Sequence, residues 1–154
     1  MKVNNMHQET KLLDLYSQNI LALAANIPLL ENLRNPQIVV KKRSALCGSM
    51  ITIQLTIKDN KISEFAQDVK ACALGQASAS IVGNSIIGAE VHDIIKLRNQ
   101  VSEMLKNNGD VPTCPFNDFK YLTPAKDYKN RHASILLVLD ATVEGVERLN
   151  HSKS

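Results

Sequence analysis

Apolar residues alternate with their neighbours along one stretch of the chain: Ile51, Ile53, Leu55 and Ile57 are interleaved with Met50, Thr52, Gln54 and Thr56. A period of two places successive side chains on opposite faces, so residues 50–57 are predicted to be a strand with one buried side. Asp59-Asn60 reads as a hairpin turn. A second strand is expected from about Lys61 to Val69, and its alternation breaks near Phe65, which suits a bulge. Residues 37–46 are expected to add a further strand.

The remaining periodicity is helical. Residues 11–25 carry Leu12, Leu15, Tyr16 and Leu23 and read as a helix ending by Pro28, with a turn at Asn35-Pro36. Ala77 to Ile87, rich in small and apolar residues, reads as a buried helix. Val91, Ile94, Ile95, Met104 and Leu105 form a helical face that stops near Asn107-Asn108-Gly109. Residues 110–130 hold Pro112, Pro115 and Pro124 and are expected to be mainly loop, with one helical turn. In the last element, from about His132 to Leu149, Ile135, Leu139, Thr142, Val146 and Leu149 fall on one stripe. Strands grouped together and linked by a hairpin, with helices after them, indicate an α+β fold: a small antiparallel sheet of about three strands packed against several helices.

Length and charge narrow the functional classes. The 154 residues suit one domain, expected over residues 11–150, with flexible ends at 1–10 and 151–154. Net charge is +3, and the densest basic run is Lys41-Lys42-Arg43. That is too little for a nucleic-acid stripe and reads as a solvated surface patch. The first residues have no apolar core of a signal peptide, and no apolar run approaches a bilayer's thickness. The expectation is a cytoplasmic protein that uses neither nucleic acid nor membrane. Motifs of the common hydrolases and of phosphate-binding loops are absent.

Three cysteines, Cys47, Cys72 and Cys114, are too few and too odd in number for a disulfide framework. Cys47 precedes the first strand of the hairpin, and Cys72 follows its second strand. Hairpin strands are antiparallel, so these two thiols are predicted to meet in space. Cys72 also lies just ahead of a helix, where unpaired N–H groups favour the thiolate that binds metal. Both are equally open to a plainer reading as small buried hydrophobes. His132, at the start of the last helix, reads by itself as a cap or surface residue. Cys114, in Pro112-Thr113-Cys114-Pro115, reads as an incidental thiol, although its loop offers a way to fold over the other two.

An ordered set of short motifs resembles the NifU/IscU/SufU type of iron–sulfur cluster assembly scaffold, from about Leu15 to Val146. These are Asn35-Pro36; Leu46-Cys47-Gly48 before an alternating hairpin; Ala71-Cys72-Ala73-Leu74-Gly75-Gln76-Ala77-Ser78-Ala79-Ser80; and Arg131-His132-Ala133-Ser134 leading into the final helix. The resemblance implies a fold of that type and a site made by Cys47, Cys72 and His132. Two positions depart from it. The family's usual aspartate two residues after its first cysteine is Ser49 here, and its usual cysteine after the histidine, where it receives sulfur, is Ala133.

The resemblance implies a carrier rather than an enzyme. Such a protein holds iron or a transient [2Fe–2S] cluster, takes sulfur from a cysteine desulfurase and delivers to a downstream carrier or apo-protein. Thiolate and imidazole suit such a cluster and also suit zinc. The competing expectations are therefore a zinc-binding sulfur-transfer protein, or a scaffold relative that regulates a desulfurase or scaffold without carrying a cluster.

Overall fold

A computed structural model of the chain describes residues 14–152. The flexible ends expected at 1–10 and 151–154 lie outside them, apart from 151–152, which belong to the last helix. The expected helix over 11–25 is likewise described only from residue 14. Its described part is broken at Ser17, which starts a new helix, α1 (Gln18–Ala25), by accepting a hydrogen bond from the Ile20 N–H at 3.3 Å. Ser is a strong N-cap because its oxygen satisfies a donor the helix cannot.

Three strands follow: β1 (Ile38–Arg43), β2 (Met50–Lys58) and β3 (Lys61–Lys70). They form one antiparallel sheet in chain order. Ile51, Ile53, Leu55 and Ile57 are all buried, as their alternation requires. Each buried side chain of this size contributes about 1.5–3 kcal/mol. Asp59 and Asn60 both take positive φ, 54° and 61°, the conformation a tight two-residue hairpin demands. The bulge lies slightly earlier than expected. Thr56 pairs with Glu64 but Ile57 pairs with Ile62, so Ser63 is the extra residue. One added residue lets Ile62 and Phe65, three apart, both face the core.

The helices α2 (Ala73–Ser85), α3 (Val91–Asn107) and α4 (Lys129–Ser152) complete the α+β fold. α2 begins four residues earlier than its composition suggested, directly after Cys72. α3 stops as expected, with Asn108 left-handed at φ 53°. The connector 110–130 is more ordered than expected: Asn117–Asp127 is a 3-10 run that buries Phe119, Leu122 and Ala125. α4 lies across the sheet, where Gly145 lets its backbone approach Val40, Ile53 and Leu55. No helix among the described residues is long and apolar enough to cross a membrane.

Candidate functional site

β2 runs opposite to both its neighbours, so the β1–β2 loop and the end of β3 share one edge of the sheet. The register makes this concrete: Met50 pairs with Arg43 on one side and Lys70 on the other. Cys47 sits in the loop just beyond Arg43, and Cys72 two residues beyond Lys70.

The loop is closed by its own backbone. Ser44 N–H donates to the Ser49 carbonyl at 2.8 Å, and Gly48 N–H to the Ser44 carbonyl at 3.0 Å. Gly48 holds φ +71°, which a side chain would resist. This turn pushes Cys47 into solvent with Leu46 beside it, 78% exposed. Cys72 is half-buried at the N-cap of α2, and its carbonyl accepts from Gln76 N–H at 2.9 Å.

Two serine hydroxyls connect the thiols. Cys47 Sγ lies 3.1 Å from Ser49 Oγ, Ser49 Oγ lies 3.4 Å from Ser134 Oγ, and Ser134 Oγ lies 3.2 Å from Cys72 Sγ. Ser49 and Ser134 are buried, so the chain of contacts runs beneath the surface from one sulfur to the other. Ser134 reaches Cys72 because Gly75 has no side chain. A Cβ there would stand 2.6 Å from Ser134 Oγ and 2.8 Å from Ala71 Cβ.

These hydroxyls change the acidity of Cys47. Partial desolvation pushes its pKa up. Against that, hydrogen bonds from the hydroxyls of Ser44 and Ser49, the Ser49 backbone and the Ser134 hydroxyl favour the thiolate. Together they bring it from 9.0 down to about 7. Ser44 Oγ is buried and makes no other hydrogen bond, so it stands ready to donate as the sulfur ionises. Near neutral pH an appreciable fraction of Cys47 is thiolate, the form that ligates soft metals and attacks sulfur.

His132 does not join this group. Its imidazole is buried, with Nε2 2.9 Å from the Ala125 carbonyl oxygen. A carbonyl can only accept, so Nε2 carries the proton. The reason for the divergence is helical geometry. His132 lies within α4, two residues before Ser134, and residues two apart point to nearly opposite sides of a helix. With Ser134 turned to the thiols, His132 turns into the 3-10 segment. Among the described residues, Cys47, Cys72 and His132 do not form a trio with ligand atoms within 4.8 Å of one another.

Cys114 is remote as well. It lines a cleft of about 470 Å³ with Lys61, Ser85, Gly88, Glu90 and Asp93, at the turn end of the sheet. Lys61 and Lys70 are the two ends of β3, which separates them by about 30 Å. An exposed trio, Glu90, His92 and Asp93, stands at the same far end where α3 starts. Sequence reasoning passed over this trio, and it also missed Ser44 and Ser134. The one signal for Ser134 was a hydroxyl just ahead of the apolar run Ile135–Leu139.

Comparison with known proteins places this geometry. Residues 15–132 match the family model for the NifU-like N terminal domain. An iron–sulfur cluster assembly scaffold protein IscU from Thermotoga maritima is 22% identical over 136 residues, spanning 88% of this chain and 95% of that one. A protein of the same name from Streptococcus pyogenes is 21% identical over 109 residues, spanning 71% of this chain and 69% of that one. The crystal structure of a nitrogen-fixing NifU-like protein (N-terminal) from Brucella abortus superposes with a TM-score of 0.90 at 40% identity, covering 92% of this chain and 98% of that one.

Proposed function

The chain belongs to the NifU-like N-terminal domain family, and on that premise we propose that it is an iron–sulfur cluster assembly scaffold, a carrier and not a catalyst. It takes iron or a transient [2Fe–2S] cluster as cargo on Cys47 and Cys72, receives sulfur from a cysteine desulfurase and passes its load to a carrier or apo-protein. The observation that carries this reading is the pair of thiols, far apart in sequence yet set on one edge of the sheet and linked through Ser49 and Ser134. Soft thiolates are the donors that iron–sulfur clusters require.

The donor set fits this cargo in part. Cys47 is exposed and Cys72 half-buried, so both sulfurs are placed for loading and release rather than for permanent storage. The serine hydroxyls that stand beside them supply hydrogen bonds to sulfur, which tune its basicity. They are hard, neutral oxygens and poor substitutes for thiolate. His132, committed to the Ala125 carbonyl, is a ligand only if α4 or its ring reorients.

Anaerobic reconstitution with iron, cysteine and a desulfurase tests the proposal. The expected result is a sulfide-to-iron charge-transfer band in the visible, with iron and labile sulfide in near-equal amounts. Cys47→Ser and Cys72→Ser variants, folded by circular dichroism, lose it. Unchanged loading in both variants would reject the assignment. The position of His132 favours one competing reading, a domain that keeps the family's partner surface without its cargo. Desulfurase binding indifferent to both cysteine substitutions, with zinc or no metal bound, is the result that reading requires.

A further inference from the structure

The sheet has two outer strands, and the chain covers the free side of one of them. On β3, the Gln67 N–H donates to the Leu29 carbonyl at 2.9 Å, the Ile62 N–H to the Ala89 carbonyl at 2.9 Å, and the Gly88 N–H to the Ile62 carbonyl at 2.7 Å. β1 has no such cover. The Ser44 N–H bonds the Ser49 carbonyl on the β2 side, and hydrogen-bonding direction alternates along a strand. The N–H and C=O groups of Val39, Lys41 and Arg43 therefore point away from β2, and among the described residues no hydrogen bond reaches them. The side chains of these residues share a face as well. Val39 is 50% exposed, and Lys41 and Arg43 are exposed with it. Lys42, between them, turns to the opposite face and pairs with Glu144 at 3.1 Å. Among the described residues, Lys41 and Arg43 have no acidic partner.

We propose that β1 is a docking edge for an extended, acidic segment of another protein, which adds to the sheet as a fourth strand. Main-chain hydrogen bonds to Val39, Lys41 and Arg43 supply the attachment, and side chains at alternate positions supply the choice. In an antiparallel added strand, an apolar residue faces Val39. Carboxylates two and four residues before it face Lys41 and Arg43, at the roughly 5 Å spacing of opposed side chains. The same charges oppose a second copy of this chain, because pairing two β1 edges sets cation against cation. Arg43 runs directly into the Ser44–Ser49 turn, so a strand seated here ends beside Cys47. Docking of this kind needs the edge and its charges and not the thiols, so it is independent of the cargo.

The probe is a fluorescein-labelled peptide with the core Glu-Thr-Glu-Thr-Val, titrated with the full chain and followed by anisotropy. Amide exchange is read residue by residue by NMR. Binding should slow exchange at Val39, Lys41 and Arg43 and should weaken as salt rises. Lys41→Glu combined with Arg43→Glu should weaken it about tenfold, as two attractive cross-strand pairs become repulsive. Lys61→Glu combined with Lys96→Glu makes the same change of charge in the cleft at the turn end and should leave binding unchanged. Val39→Pro, tolerated where an edge N–H faces solvent, should weaken binding while circular dichroism stays native. Binding without slowed exchange at Val39, Lys41 and Arg43 would reduce the edge to a charged surface and overturn the proposal. So would equal binding of a peptide with lysine in place of each glutamate, or no binding at about 1 mM peptide. A dimer of the chain alone that protects the same amides would overturn it too, by making the occupant a second copy.

Discussion

The two ends of the sheet each present free cysteine, yet they are built differently. At the thiol edge, Cys47 and Cys72 are linked by buried serine hydroxyls, and the thiolate form of Cys47 is favoured by hydrogen bonds from Ser44, Ser49 and Ser134. At the turn end, Cys114 stands exposed in an open cleft beside Lys61 and the start of α3. The same functional group becomes a candidate ligand at one end and a surface thiol at the other. The difference lies in the neighbours: two sulfurs joined through shared serine hydroxyls, one of them, Cys47, lowered in pKa by those hydrogen bonds, against a single sulfur in an open cleft. Exposure alone does not distinguish them, since Cys47 and Cys114 are both exposed.

Closing the approach of α4 to α2 should disturb the thiol edge most. Gly75→Ala puts a methyl group 2.6 Å from Ser134 Oγ, 2.8 Å from Ala71 Cβ and 3.2 Å from the Ser134 carbonyl oxygen. A backbone atom is among these, so the helices must separate. Overpacking of this kind costs about 1–3 kcal/mol, to be read from the urea midpoint at constant m. It should also draw Ser134 away from Cys72 and reduce cluster loading. Gly88→Ala, at the other end, meets nothing within 4 Å. Its φ of +86° carries a local strain of about 1–2 kcal/mol, and loading should be untouched. Equal loss of loading in both variants would show that the ends are not independent.

A smaller effect is expected from pH. With Cys47 lowered from 9.0 to about 7, the folded chain holds fewer protons than the unfolded chain between those values. Stability from this group is therefore fully present above about pH 9 and falls away as pH drops through about 7. The rate of Cys47 alkylation by iodoacetamide, followed by peptide mass spectrometry, should rise with a midpoint near 7. Ser49→Ala removes one hydroxyl donor and should move that midpoint upward. A midpoint indifferent to Ser49→Ala would mean that the serines do not tune the sulfur.

How far the site was legible differs residue by residue. The meeting of Cys47 and Cys72 followed from the alternation of Ile51 to Ile57 and one hairpin turn, because a strand's period is rigid and its partner must run back. The strand bulge was placed only approximately, since Ile62 and Phe65 announce that a residue is added but not which one pairs. α2 begins at Ala73, ahead of the small and apolar run from Ala77 that marks it in sequence, and the value of Gly75 within it is visible only against Ser134 from another helix. His132 was assigned from its neighbours in a motif, whereas its direction depends on where α4 begins. Once the helix starts at Lys129, His132 and Ser134 must diverge. Ser44 and Ser134 were not legible, because a serine's role depends on what tertiary packing puts beside it.

The smallest expected effect gives the sharpest test of the contrast between the ends. Cys114→Ser replaces an exposed sulfur with a hydroxyl in an open cleft. Surface changes of this kind leave stability within about 0.5 kcal/mol. Cluster loading should match that of the unaltered chain, and the iron content of the loaded species should not change. If Cys114→Ser loses the charge-transfer band, the third thiol reaches the cargo. Because β3 keeps it about 30 Å from the thiol edge of its own chain, it would have to do so from another copy. Retained loading would instead confine the chemistry to Cys47, Cys72 and the hydroxyls between them.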